Sequence, residues 1–136
     1  MNSGFEKSYY LNGHPSLAGR VMFTFSDPGK PECAFVRFNK PHRDLNEIQD
    51  LVAKGYMVRT QAEDGTKAAK EGDYEQMEAA FASGAQIIST AYYRPDERHN
   101  ESEDWTAYAV QFPNEELAVV NFIHGDPTVV ACGVGE

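Results

Sequence analysis

Two stretches of the chain repeat one pattern of apolar and polar positions. In residues 44–61, Leu45, Ile48, Leu51 and Val52 recur at helical spacing, and a short apolar run at 56–60 follows Gly55. In residues 73–91, Tyr74, Met77 and Phe81 form the stripe, Gly84 follows, and 86–90 is the second apolar run. Asp44 and Asp73 each stand 11 residues before their glycine, with Glu47 and Gln76 three residues further on. Each aspartate therefore reads as a helix N-cap within a capping box. Each glycine reads as the left-handed residue that closes a helix. A short run that is apolar on both faces suits a strand of a parallel sheet. The pattern predicts two successive helix-strand units with a right-handed crossover.

The remaining segments are less regular. Residues 20–25 (R-V-M-F-T-F) and 33–39 (C-A-F-V-R-F-N) read as strands, separated by a turn at 26–32 that holds Pro-Gly and a second proline. Lys40 and Pro41 end the second of them. Residues 61–72 read as a charged loop at the carboxyl end of a strand, and 94–104 as an exposed polar loop. Residues 105–112 and 117–122 are β-rich and joined by P-N-E-E, the pattern of a hairpin. The ends, 1–19 and 124–136, are turn-rich or without period, and loosely ordered termini are expected there.

Gly55 and Gly84 are 29 residues apart, close to the length of one unit of a (β/α)8 barrel, of which about 250 residues hold eight. A chain of 136 residues has room for half of that barrel. The expected fold class is therefore α/β: half of a (β/α)8 TIM-type barrel, with three or four core strands and a C-terminal β-hairpin, as one domain over 1–136. A half-barrel exposes two sheet edges and an apolar interior. It should pair with its missing half or self-associate as a dimer.

Charge narrows the partners. A net charge of −9 is the wrong sign for clustered phosphate contacts with nucleic acid, and for electrostatic docking on an anionic membrane. No run approaches the ~20 apolar residues of a membrane span, and the first ten residues do not form a signal peptide. Cys33 and Cys132 form no metal motif; both free and buried is one reading, and a single disulfide is the other. His14, His42, His99 and His124 are dispersed, with no i, i+4 pair to suggest zinc. The acidic residues Glu97, Glu101, Glu103 and Asp104 lack the ordered spacing and central glycine of a helix-loop-helix calcium site, and read as a solvated loop.

Four segments, 14–24 (H-P-S-L-A-G-R-V-M-F-T), 34–39 (A-F-V-R-F-N), 55–63 (G-Y-M-V-R-T-Q-A-E) and 83–93 (S-G-A-Q-I-I-S-T-A-Y-Y), together resemble the bacterial calcium-dependent phosphoinositide-specific phospholipase C family, within the phospholipase-C-like phosphodiesterase barrels. They stand in the family's order over about residues 8–122. The resemblance implies phosphodiester cleavage of phosphoinositide-type lipids by two histidines, one a general base and one a general acid, with calcium stabilising charge on the phosphate. It also implies that this chain is the second half of a (β/α)8 TIM-type barrel, that its partner is the missing N-terminal half-barrel, and that the histidines and the acidic calcium ligands come from that first half. None of the four histidines here stands at a matching position. The chain is therefore expected to bind no calcium itself and to be inactive alone.

What the resemblance places in this chain is the substrate-binding mouth: Asn39, Lys40, Arg59, Glu63 and Tyr92. Arg59 matches the first arginine of the family's R-T-R-A-D run, whose second arginine is Gln61 here and whose aspartate is Glu63. The family's S-T-D-Y reads S-T-A-Y, with Ala91 in place of the acid and Tyr92 kept. Lys40 stands where an acid is usual. Arg59 fits either a bidentate phosphate contact or an interior ion pair with an acid such as Glu63. Tyr92 and Tyr93 fit either packing at the strand end or stacking on an inositol ring. Lys40 fits a solvated lysine or a phosphate ligand. The lost charges at Gln61 and Ala91 also leave open a stand-alone, degenerate half-barrel that binds a ligand or assembles without catalysis. Proteins of the family are often secreted or periplasmic.

Overall fold

A computed structural model describes residues 4–113, 116, 118–126 and 128. The two repeated units form as read, with shifted ends. The first is helix α2 (Pro41–Ala53; α1 is described below) followed by strand β2 (Met57–Gln61). The second is helix α4 (Glu75–Ala82) followed by strand β3 (Ile87–Ser89). Strand β1 (Phe35–Arg37) precedes them. The three strands make a parallel sheet in the order β1-β2-β3, with Phe35 beside Met57, Arg37 beside Arg59, and Arg59 beside Ile87.

Residues in register on neighbouring parallel strands point to the same side, and alternate residues point to opposite sides. Val36 and Val58 share one face and are buried with Ile48, Leu51, Val52, Cys33 and Ala85 in the main core. Helices α2 and α4 both pack on β2 and against each other, so they cover that same face. Arg37, Arg59, Gln61 and Ile87 point the other way. That second face is open: Met57 is 43% exposed and Ile87 42%. Phe23 stacks on Phe35, and Phe25 takes the Arg37 guanidinium over its ring, so the strip at 23–25 shields the β1 side of this face.

Both glycines of the repeat are left-handed, Gly55 at φ 88° and Gly84 at φ 71°. At the end of α2, Gly55 N–H bonds Val52 O and Tyr56 N–H bonds Leu51 O, a Schellman closure. Gly84 is also a point of close approach, because a Cβ there would meet Ile123 Cδ1 at 2.5 Å.

The helix starts differ from the capping-box expectation. Helix α2 begins at Pro41, with Lys40 as N-cap and no side-chain cap bond. Proline suits the first helical position, where no amide donor is required. Asp44 lies inside this helix at a kink (φ −104°, ψ 16°) and pairs with the Arg43 guanidinium at 2.7 Å. At α4 the N-cap position falls on Tyr74, although Asp73 Oδ1 still accepts from Glu75 N–H at 3.0 Å.

Other expectations are corrected. Residues 20–25 form no strand: Val21 and Met22 N–H both donate to the Tyr10 hydroxyl rather than to a ladder. Within 1–19, read as loosely ordered, Gly4–Leu11 is helix α1, held by Lys7, whose ammonium donates to Phe25 O and pairs with Glu32 at 3.2 Å. The loop at 61–72 contains a short helix, α3 (Lys67–Glu71). The expected hairpin is absent among the described residues of 105–122. Residues 105–110 bond elsewhere, with Thr106 N–H on Ala69 O and Val110 N–H on Tyr92 O, while Asn121 bonds Gly84 O through its side chain. Cys33 is free and buried, and Cys132 lies outside the described residues. Of the tail at 124–136, only 124–126 and 128 are described.

Candidate functional site

The carboxyl ends of the three parallel strands converge on one edge of the sheet, where ligands of parallel α/β proteins bind. The residues that follow β1, end β2 and follow β3 meet there. Arg59, on the open face of β2, reaches across to the segment after β1 and donates from Nη1 to Asn39 Oδ1 at 2.9 Å. Among the described residues no ion pair reaches Arg59, so the alternative of a salt bridge with Glu63 is not formed. Its guanidinium has five N–H donors, and one is used by Asn39. No other hydrogen bond of the guanidinium is made among the described residues.

Glu63 is buried, at 7% exposure, just beyond β2. Its Oε1 accepts from Ala91 N–H at 2.7 Å, clasping the exit of β2 to the exit of β3. Its Oε2 is buried and has no hydrogen-bond partner among the described residues. Tyr92 is buried and packs edge-on against Tyr108, ring centroids 5.8 Å apart, so it serves as packing at the strand end. Tyr93 is exposed, with the Arg94 guanidinium over its ring. Lys40 is exposed at the head of α2, beside Asn39.

Two residues of this region escaped the sequence reading. Tyr108, expected in a hairpin strand, is instead fully buried, tilted against Tyr74 with ring centroids 4.7 Å apart and reaching Ala62 O at 3.4 Å. Burial, with the Glu63 charge adding to it, pushes its phenol up to about 12. The spacing of Tyr74 and Tyr92 gave no sign that a third tyrosine would join them. Gln76 was assigned to a capping box, but its Nε2 donates to Asn39 O at 3.3 Å and Gln61 O at 3.2 Å.

The loop after β3 is fixed from outside. Asp96 and Arg98 form a bidentate pair, and hydrogen bonds from the Arg98 side chain and backbone hold the Asp96 carboxyl down at about 2. Arg98 also stacks on Trp105 at 3.6 Å, with Lys70 of α3 5.4 Å from the same ring. A shallow hollow of about 400 Å³, lined by residues 91–97, lies between this loop and the end of β3.

The histidines do not meet at the mouth. His14, His99 and His124 each bond a backbone carbonyl, of Ala18, Asp96 and Val52. Among the described residues no group of three or more His, Cys, Asp or Glu side chains is arranged to hold a metal. Calcium takes six to eight oxygens. Glu63 alone, with one oxygen taken by the Ala91 amide, supplies too few oxygens for such a site.

The sequence profile of the family described as phosphoinositide phospholipase C, Ca2+-dependent, matches residues 1–122. No curated protein and no solved structure matches the chain. With a match over most of its length, the chain belongs to the calcium-dependent phosphoinositide phospholipase C family.

Proposed function

We propose that the chain is the second half of a (β/α)8 barrel and supplies the substrate-binding mouth of a phosphodiesterase acting on phosphoinositide-type lipids. The observation that carries this reading is Arg59. It stands on the open face at the carboxyl end of β2, steadied by Asn39 and free of any carboxylate partner among the described residues. A planar, permanently charged fork in that position suits a phosphate oxyanion. Asn39 and Lys40 flank it, Glu63 ties the exits of β2 and β3 together behind it, and Tyr92 supports the wall. The residues argued here bind and orient; no proton transfer is assigned to any of them. Calcium, which the family uses, would polarise the phosphate from ligands outside this chain.

The half-barrel reading is supported by topology. Three strands follow one another in sheet order with α2 and α4 on one face, as in a barrel. A doubly wound sheet would carry helices on both faces. The open face, with Met57, Ile87 and Phe23 exposed, would then be barrel interior awaiting its other half. Exposed apolar surface of this kind draws association. The purified chain is expected to sediment as a dimer or larger species at micromolar concentration, and a well-behaved soluble monomer would contradict the half-barrel.

A further inference from the structure

The Arg59 guanidinium is aimed by Asn39, so whatever holds Asn39 holds the phosphate-binding group. The β1–β2 ladder ends with Phe38 N–H on Arg59 O, one residue before Asn39, and the next element begins at Pro41. Asn39 is therefore past the ladder and exposed. Its carbonyl is held by Gln76, whose single amide nitrogen also donates to Gln61 O at the end of β2. Both neighbours are carbonyl oxygens, so both amide hydrogens are used and the orientation of the Gln76 amide follows from its partners. From Gln61 the chain of contacts continues: its side-chain amide donates to Glu63 O at 2.8 Å, and Glu63 takes the Ala91 amide. One side chain from α4 thus joins the exits of β1 and β2, and through Glu63 the exit of β3.

We infer that Gln76 is a positioning residue of this site, setting the Asn39–Arg59 pair from α4. The inference rests on the phosphate-binding reading of Arg59 for its consequence, but its geometry can be tested without a ligand. The variant Gln76→Met keeps length and bulk and removes both donors. In it, the Asn39 side-chain amide and Arg59 Nε–H nuclear magnetic resonances should shift or broaden relative to the parent chain. The dissociation constant for inorganic phosphate should rise about threefold to tenfold, the range of one net hydrogen bond. Gln76→Lys restores donors of similar reach and should return the Asn39 and Arg59 signals toward the parent. Unchanged signals in Gln76→Met, or a Lys variant indistinguishable from it, would overturn the inference. A parent chain that does not bind phosphate would overturn the reading of Arg59 instead, and the tether would then stand or fall on the resonances. If Arg59→Ala weakens phosphate binding while Gln76→Met does not, the phosphate reading stands and the role of Gln76 falls.

Discussion

Replacing Tyr108 by alanine is expected to lower the unfolding free energy by about 3–5 kcal/mol, the usual cost of deleting a buried aromatic. Tyr108 is fully buried between Tyr74 and Tyr92 and closes the small core that α3 builds with Ala68, Ala69, Trp105 and Val110. A domain holds only about 5–15 kcal/mol in total, so the loss is a large share of its stability. Tyr108→Phe keeps the ring and removes a long bond to Ala62 O at 3.4 Å, and should cost less than about 1 kcal/mol. Urea unfolding of the three proteins decides it; an alanine variant within about 1 kcal/mol of the parent would show that the cluster contributes little. The phenol adds a pH dependence of known sign. Its folded value of about 12 lies above the ordinary 10, so its contribution is complete below pH 10 and is lost as pH rises through 12. The phenylalanine variant should lack that component of alkaline unfolding.

The second large effect is at Arg59. Arg59→Ala should weaken binding of an inositol phosphate by about tenfold to a hundredfold, since hydrogen bonds to charged groups contribute about 1.5–3 kcal/mol. Arg59→Lys keeps the charge but not the fork, and should fall between the two. The affinity of the parent should decline with added salt, because the site is open to solvent. Isothermal titration of the three chains at fixed ionic strength is the measurement, and equal affinities would remove Arg59 from the site. Its outcome is separable from folding because Arg59 faces the open side of the sheet, away from the core that Val58 and Val36 join.

What was legible in the sequence was what local pattern controls. The stripe at Ile48, Leu51 and Val52 is core, and the two glycines are left-handed because nothing else closes a helix there as cheaply. The parallel pairing followed from short strands separated by helices. The helix starts were misplaced because Asp44 competes with a proline three residues earlier, and Pro41 needs no side-chain cap. The misread strand and hairpin have a different cause. Residues 20–25 and 105–122 are β-rich in composition, yet a strand exists only where a partner edge is offered. Tyr10 takes the amides of Val21 and Met22, and Ala69 and Tyr92 take those of Thr106 and Val110. The family's motifs drew attention to Arg59, Asn39 and Glu63, and the fold brings the first two of them into hydrogen-bond contact. Gln76 and Tyr108 were not legible, because their roles depend on contacts 37 and 46 residues away in the chain.

The central claim is that this chain holds the substrate-binding half of a phosphodiesterase and not its catalytic groups. The direct measurement is turnover of phosphatidylinositol vesicles by the purified chain, with calcium and with a chelator. The account predicts no hydrolysis above background in either condition. Hydrolysis that requires calcium, abolished by the chelator and restored by adding the metal back, would contradict it and place the catalytic machinery within these 136 residues.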